Sequence, residues 1–177
     1  NSILDIAEHY CQMKELYTIG GMVSLGAHTA PRELLAVANS PEMKKVLSQY
    51  GLARDVDYET PPGQRPTLSS FLLWVAKRRN IAGASLWVTI PFYLVATEDP
   101  QACQKMVEFF DRRFQLGIYL RDLDEEVARQ NEKIAQLRIR LPEIDNHIRK
   151  LESRLGLTPE ESEKLVKEIE EFLRKGD

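Results

Sequence analysis

The sequence predicts an α/β domain followed by a helical segment. Two observations lead to this class. Helical periodicity and short apolar strand-like runs alternate in the first two thirds of the chain, with Gly and Pro at their ends. From Leu120 onward, aliphatic residues instead recur at heptad spacing. At 177 residues the chain has room for one domain with an appendage. We therefore expect the α/β domain in residues 1–119 and the helical appendage in residues 120–177.

The α/β part divides into four helices and three strands. Helices are predicted over residues 2–13, 42–50, 68–79 and 101–116, and strands over residues 15–19, 34–38 and 81–89. Ser40 and Asp99 are expected to cap helices because each is followed by Pro at the first helical position. The first strand is expected to end at Gly20-Gly21 and to open into a loop, as a buried parallel strand would. Residues 55–66 are rich in Pro and read as an exposed loop.

Composition limits the classes of function. The chain is 43% hydrophobic and 29% charged, as in a folded soluble protein, and its net charge of -3 offers no general attraction to nucleic acid or anionic membrane. No apolar run is long enough to span a bilayer. Cys11 and Cys103 form no C-x-x-C motif and are expected to be reduced core thiols of a cytoplasmic protein. The three histidines are not clustered, so we expect no metal and no cofactor.

The heptad array is the most regular pattern in the chain. Ten of its eleven a and d positions are aliphatic. The a positions are Leu120, Val127, Ile134, Leu141, Ile148 and Leu155, and the d positions are Leu123, Gln130, Leu137, Ile144 and Leu151. Pro142 is expected to kink or restart the helix while the apolar seam keeps its phase. Gly156 should end the segment, and Thr158-Pro159 should begin a last helix, which together predict a helical hairpin.

An apolar seam of this length must be buried against something. It spans about thirty residues, or roughly 45 Å of continuous helix at 1.5 Å per residue. Either the segment Leu165–Leu173 or the rest of the domain folds onto it, or another protomer covers it, and the flanking charges do not fix the orientation of such a pair. We expect self-association, with three or more subunits as one possibility. The predicted interaction residues of the seam are Val127, Ile134, Leu137, Leu141, Ile144, Ile148 and Leu151.

The loop after the first strand is the best candidate for ligand binding. Ligands of open α/β sheets bind beyond the carboxyl ends of the strands. The candidate residues are Gly20, Gly21, Gly26 and His28. Residues 20–29 lack both the Lys-Ser/Thr end of a phosphate-binding loop and the G-x-G-x-x-G spacing of a dinucleotide site. No Ser, Cys or carboxylate at a recognisable spacing supports His28 as a general base, so no catalytic residue is assigned.

Phe92 and Tyr93 follow Pro91 at the end of the third predicted strand. Aromatic side chains at such a position either pack in the core or face a cleft or a neighbouring subunit. Both alternatives stay open from the sequence, and the two residues are included among the predicted interaction residues.

Four stretches in sequence order carry a resemblance to a known family. They are the strand and glycine pair 15–21, the segment 31–42 with its Ala-Asn-Ser-Pro turn, the Leu-rich helix leading into 81–87, and the Glu98-Asp99-Pro100 helix start. Over residues 3–125 the chain resembles the proteasome assembly chaperone family. The resemblance implies a three-layer α/β/α domain of phosphorylase/hydrolase-like topology with a mostly parallel sheet, and oligomers. Some members assist proteasome assembly, and others are loosely labelled as ATP-grasp proteins.

The resemblance also has departures. The family's domain normally begins with further strands and a glycine-rich turn, so the sheet is expected to be incomplete at the N-terminus and the chain, which starts at Asn1, to be a fragment. Thr67-Leu68-Ser69-Ser70 stands where the family often has glycines. The leading hypothesis is therefore an oligomeric protein-interaction module without evident catalysis. The alternative is a hydrolase, a transferase or a nucleotide-binding enzyme that uses the Gly20–Thr29 loop.

Overall fold

A computed structural model describes residues 2–52, 63 and 65–174. Its elements follow in chain order. They are α1 (Ser2–Cys11), β1 (Glu15–Ser24), β2 (Leu34–Ala38), α2 (Pro41–Ser48), α3 (Leu68–Arg78), β3 (Ala82–Pro91), a 3-10 turn (Phe92–Leu94), α4 (Pro100–Phe114), α5 (Arg121–Arg140), α6 (Pro142–Glu152) and α7 (Pro159–Arg174). The mixed α/β class is confirmed. Most of the predicted loop over residues 55–66 lies outside the described residues.

The three strands form one sheet in the order β1-β3-β2. The amide of Thr89 donates to the carbonyl of Glu33, and the amide of Asn39 donates to the carbonyl of Gly83, both at 2.9 Å. Residue numbers rise along one strand while they fall along the other, so β2 and β3 are antiparallel. Beside β1, the side chain of Thr18 meets Ser85, and two residues further on Gly20 faces Trp87, so β1 and β3 run in the same direction. The described sheet is mixed, and a mostly parallel sheet is not confirmed.

Gly20 and Gly21 do not end the first strand. β1 continues through both of them to Ser24. Since the two glycines have no side chains, side chains of β3 can lie against the backbone of β1 at these positions. A Cβ atom on Gly20 would lie 2.8 Å from two ring carbons of Trp87, and one on Gly21 would lie 2.6 Å from Cδ1 of Ile90. The glycine pair is thus explained by close approach within the sheet.

Caps begin three helices as their sequences suggest. The hydroxyl of Ser40 accepts from the amide of Met43 at 3.2 Å, and the carboxylate of Asp99 accepts from the amide of Ala102 at 3.1 Å. Thr67 caps α3 in the same way. Satisfied first-turn amides stabilise each helix by about 1 kcal/mol. The predicted caps at Ser40 and Asp99 are confirmed.

The structure consists of two compact units, each built from two stretches of chain. The first contains Asn1–Gly20 and Leu34–Trp87, and the second contains Gly21–Glu33 and Val88–Asp177. In the first unit, α1, α2 and α3 contribute Leu4, Met43, Leu47 and Leu73 to the buried core. These units do not divide at the predicted boundary between residues 119 and 120. Compact units are not necessarily domains, so the predicted domain boundary stays a prediction.

The core of the second unit is made mainly by helices. Its buried members come from the 3-10 turn and from α5, α6 and α7, with Ala27 added from the segment after β1. They are Ala27, Tyr93, Leu94, Ile134, Leu137, Ile144, Ile148, Leu151, Leu165 and Ile169. The segment 165–173 therefore covers the apolar seam within the chain, as one of the alternatives from the sequence proposed.

The helix reverses direction at Pro142 instead of kinking. A guanidinium nitrogen of Arg138 lies 2.8 Å from a carboxylate oxygen of Glu152. In one continuous helix these two residues would be about 21 Å apart, at 1.5 Å per residue. Leu141 is extended, with φ -125° and ψ 92°, and Pro142 starts α6. The predicted restart of the helix at Pro142 is confirmed, but the seam does not continue along one axis, since α5 and α6 fold onto each other.

Both cysteines are exposed and unpaired, so the expectation of core thiols was wrong. Cys103 lies on α4, whose buried residues are Pro100, Ala102, Met106 and Phe109. The buried face of α4 is therefore a different side of the helix from the one that was expected to carry Cys103. Within the part of the chain that the structure describes, no helix is long and apolar enough to cross a membrane.

Candidate functional site

The segment 25–33, which connects β1 to β2, holds the predicted ligand residue His28 in a buried position. The backbone amide of His28 donates to the hydroxyl oxygen of Tyr93, and that oxygen also lies 2.9 Å from Nδ1 of the imidazole. A hydroxyl can both donate and accept, so this contact can form whichever ring nitrogen carries the hydrogen. Burial lowers the pKa of His28 to about 4, with a further lowering by the charge of Arg138. The imidazole is neutral at pH 7.

Arg32 and Asp99 form a buried ion pair beside His28. Nε of Arg32 lies 2.8 Å from one carboxylate oxygen of Asp99, and a terminal nitrogen lies 3.3 Å from the other. The remaining terminal nitrogen donates to the carbonyls of His28 and Ala30. Both side chains are only 3% exposed. Arg32 thus ties the segment 25–33 to the start of α4, and its donors are used by the protein itself.

A third tether runs through Arg138 of α5. Its guanidinium binds Asp145 at 2.7 Å and Glu152 at 2.8 Å, and the hydroxyl of Thr29 donates to the same Glu152 carboxylate at 3.3 Å. The hydrogen bonds of Arg138 hold the pKa values of Glu152 and Asp145 below their usual range. The segment 25–33 is therefore fixed to α5 and α6 as well as to α4.

The predicted ligand residues are not brought together as a ligand-binding loop. Gly20 and Gly21 lie inside β1, and Gly26 donates its amide to the hydroxyl of Ser24 at 3.3 Å. His28 packs edge-on against Tyr93. The neutral imidazole of His28 and the guanidinium of Arg32 are thus both bonded to groups of the protein, to Tyr93 and to Asp99 respectively. Their role as a ligand site stays a prediction.

Most of the predicted interaction residues are buried inside the second unit. Those with less than a tenth of their surface exposed are Tyr93, Ile134, Leu137, Ile144, Ile148 and Leu151, while Phe92, Val127 and Leu141 are half-buried. A partner would have to displace α7 to reach the buried members. Their interaction role stays a prediction, and the surface of the unit offers other apolar residues.

The connection between α4 and α5 carries four exposed apolar side chains within six residues. Phe114, Leu116, Ile118 and Tyr119 are between 40% and 79% exposed. The carboxylate of Asp111 accepts from the amide of Ile118 at 2.8 Å, and its carbonyl accepts from the amide of Leu116 at 3.3 Å. Gln115 and Gly117 take positive φ values of 53° and 67°. We call this feature the 114–119 loop, and its side chains are presented by an ordered backbone.

A groove of about 400 Å³ lies elsewhere on the second unit. It runs between the residues before α4, one face of α5 and the last turn of α7. Its lining includes Glu98, Glu126, Arg129, Lys133, Leu173 and Arg174. The side-chain nitrogen Nε2 of Gln130 donates to the backbone carbonyl of Glu98 at 2.6 Å and joins α5 to the segment before α4. The volume lies within the range of small-ligand and peptide sites.

Residues 1–138 match the sequence pattern that defines the PAC2 family. This match covers well over half of the 177 residues. The chain belongs to the PAC2 family. No curated protein matches the chain.

Solved structures share the fold of this PAC2 chain at low identity. A protein of unknown function from Corynebacterium glutamicum is 19% identical, with a TM-score of 0.69, and the match covers 87% of this chain and 54% of that protein. A proteasome-assembly chaperone homologue from Mycobacterium tuberculosis is 16% identical, with a TM-score of 0.60, and covers 76% and 53%. An archaeal homologue of proteasome-assembly chaperone from Pyrococcus furiosus is 20% identical, with a TM-score of 0.55, and covers 80% and 60%. The PAC2 chain thus spans about half the length of the structures that it matches.

Sequence reasoning missed three features of this PAC2 chain. Arg32 was not singled out, because its partner Asp99 is 67 residues away and was explained by capping alone. The groove had a weak signal in Arg129 and Lys133, which are four residues apart and lie on one face of a helix. The 114–119 loop was visible as apolar residues around Gly117, but they read there as the end of a helix.

Proposed function

We propose that this PAC2 chain is a protein-interaction module that self-associates and binds other proteins in the manner of an assembly chaperone. The observation that carries the proposal is the 114–119 loop. Exposed apolar residues that cluster on one surface and are rimmed by polar residues mark protein-binding sites. Here Arg112 and Arg113 lie beside the loop, and the guanidinium of Arg113 lies 5.1 Å from the ring centroid of Phe114.

The backbone of the loop supports this interpretation. Since Asp111 binds two of its amides, the loop is ordered before any partner arrives, and binding costs less conformational entropy. Phe110 stacks on Phe114 with ring planes 5° apart, which supports the most N-terminal of the apolar side chains. A loop built for flexibility alone would not need these contacts.

The family and the fold support a chaperone-like role. Two of the structures that share the fold are described as homologues of proteasome-assembly chaperone. Protein partners, proteasome subunits among them, follow for this chain as part of the proposal. So do a homo-oligomer, with three or more subunits as a possibility, and a cytoplasmic location.

Light scattering over a range of protein concentrations tests the proposal. The chain should show a mass above 20.3 kDa, and Leu116→Ser and Tyr119→Ser should return it toward the monomer because each removes a large apolar contact. Leu155→Ser is the matched control, since Leu155 is 59% exposed but lies outside the loop. A monomeric wild type at every concentration would contradict self-association, and equal effects of all three variants would contradict the assignment to this loop.

The alternative function, a small-molecule or nucleotide-binding enzyme that uses the Gly20–Thr29 loop, gains no support from the described residues of that loop. The glycines on which it depended are strand residues that make room for Trp87 and Ile90. A thermal-shift screen with nucleotides and phosphates tests it. A raised unfolding temperature would support this alternative, because a ligand at a hundred times its dissociation constant adds about 2.7 kcal/mol of stability.

A further inference from the structure

Helix α3 of the first unit carries an apolar stripe on its exposed side. Leu73 and Ala76 are the buried residues of this helix and face the core of the unit. On another side Leu68, Phe71 and Trp74 follow one another at steps of three residues and are 68%, 42% and 40% exposed. A surface helix normally carries polar residues on its outer side, so these three large apolar residues mark a docking surface. We call them the α3 stripe.

The side chains of the α3 stripe hold one another in place. The rings of Phe71 and Trp74 are stacked, with their centroids 6.1 Å apart and their planes 23° apart. The guanidinium of Arg78, one turn further on, lies 4.0 Å from the centroid of the Trp74 ring. Tryptophan and arginine are enriched among the residues that contribute most to binding energy at protein interfaces, and side chains that are already ordered lose little entropy on binding.

The charges on α3 and just before it have one sign. Residues 65–79 contain four cations and no acidic residue, although the whole chain has a net charge of -3. The cations are Arg65, Lys77, Arg78 and Arg79. Arg79 binds Asp5 and Glu8 of α1, both at 2.7 Å. It follows Trp74 by five residues, or about 140° around a helix of 3.6 residues per turn, so these two carboxylates lie away from the α3 stripe.

The shape and charge of the α3 stripe suit an acidic helix. Residues three apart on a helix form a ridge that packs into the groove between the ridges of a second helix. An added strand would need a free backbone edge, which a helix does not offer. A second copy of α3 would bring the same cations close together, and like charges repel. Base stacking needs free ring faces, and the Trp74 ring already contacts Phe71 and Arg78.

We propose that the α3 stripe binds an amphipathic helix of a partner protein, whose apolar side chains cover Phe71 and Trp74 and whose acidic residues lie beside Arg78. The inference rests on the proposed function, the binding of other proteins, and names the chemistry of a partner that it leaves open. The α3 stripe belongs to the first unit and the 114–119 loop to the second, so the two assignments succeed or fail separately.

Fluorescence anisotropy with labelled helical peptides tests the assignment. The probe is a fluorescein-labelled peptide with three repeats of Leu-Glu-Ala-Leu-Glu-Ala-Glu, and the matched probe has Lys in place of every Glu. The intact chain should bind the Glu peptide roughly tenfold more tightly than the Lys peptide, and added salt should reduce this difference. Trp74→Ala should weaken binding of the Glu peptide roughly tenfold because it removes the centre of the contact.

Charge variants add an independent measurement. Arg78→Glu should weaken binding of the Glu peptide roughly fivefold and strengthen binding of the Lys peptide, since the sign of one exposed contact is reversed. Lys167→Glu on α7 makes the same change of sign in the second unit, and Leu155→Ala removes an apolar side chain there that is 59% exposed. Both control variants should change binding by less than twofold.

Several outcomes would overturn the assignment. They are equal binding of the two peptides, no binding by the wild type, and equal effects of the variants in α3 and the control variants. A labelled single-stranded oligonucleotide that binds more tightly than the Glu peptide and is lost in Trp74→Ala would assign the α3 stripe to nucleic acid instead. A lower mass of Trp74→Ala in light scattering would assign it to a second copy. Circular dichroism of every variant controls for folding.

The failure of this inference is distinguishable from the failure of the proposed function. If Leu116→Ser lowers the mass in light scattering but the intact chain binds neither peptide, the proposed function stands and only the assignment of the α3 stripe fails. If the chain is a monomer at every concentration but binds the Glu peptide through Trp74 and Arg78, self-association fails and the assignment of the α3 stripe stands.

Discussion

Removing the charge of Asp99 should destabilise the second unit strongly. In Asp99→Asn the buried Arg32 guanidinium, 3% exposed, keeps its charge but loses its counter-ion. Breaking a buried pair from one side costs about 3–5 kcal/mol. Asparagine is as good an N-cap as aspartate, so the cap on the Ala102 amide survives and does not add to the loss. The loss therefore combines the missing counter-ion with one missing hydrogen-bond acceptor for Arg32.

Urea unfolding followed by circular dichroism measures this cost. With an m value of about 2 kcal/mol per molar, a loss of about 4 kcal/mol moves the midpoint down by about 2 M. The two tryptophans, Trp74 and Trp87, both lie in the first unit, so their fluorescence reports on that unit separately. Arg32→Leu should cost less than Asp99→Asn, because the carboxylate left behind keeps its amide donor at the positive end of α4.

A double variant sharpens the argument. Arg32→Leu combined with Asp99→Asn should be more stable than the sum of the two losses predicts, because no buried charge is left. A midpoint shift below about 0.5 M for Asp99→Asn would refute the reasoning. So would a double variant whose loss equals that sum.

Three further outcomes follow from the structure. Gly20→Ala should cost about 1–3 kcal/mol by overpacking against Trp87, and Trp87→Leu should recover part of it in urea titrations; no loss would contradict the close approach. His28 takes up a proton in the unfolded chain near pH 6.5 but in the folded chain only near pH 4, so stability should fall by about 2 kcal/mol from pH 7 to pH 5. His28→Gln should remove that slope, and an unchanged slope would assign it to other groups. Ile148→Ala should cost about 2–5 kcal/mol at every protein concentration, whereas a cost that depends on concentration would place Ile148 in an interface between chains.

Elements were predictable where local sequence decides them. β2 was predicted at its observed bounds, and α4 begins at the expected Asp99 cap because Pro and a capping carboxylate act within one turn. β1 was predicted too short, since whether Gly20 ends a strand or admits a side chain depends on Trp87, which is far away in sequence. The burial of Arg32 was invisible for the same reason.

The heptad pattern correctly predicted which residues form an apolar seam, but it did not predict that the seam is divided between two helices that fold onto each other. Periodicity shows which face of a helix is apolar, and it holds equally for one long helix and for two helices that turn back. The contact that distinguishes them joins Arg138 to Glu152, which are far apart in a continuous helix. The ligand role of the residues near His28 stays a prediction, because a polar residue after a strand can serve the fold as well as a ligand.

Because the helix breaks at Pro142, the apolar residues of α5 are covered by helices of the same chain and not by a second chain. Arg121–Arg140 and Pro142–Glu152 would form one rod of about 48 Å if the break were absent. Ile134 and Leu137 would then lose Ile144 and Ile148 as neighbours in the same chain and would find the same residues only in a second chain. Pro142→Ala is thus expected to favour a domain-swapped dimer, visible as a doubled mass in light scattering. The proline ring at position 142 thus keeps these helices packed within one chain and prevents their exchange between two chains.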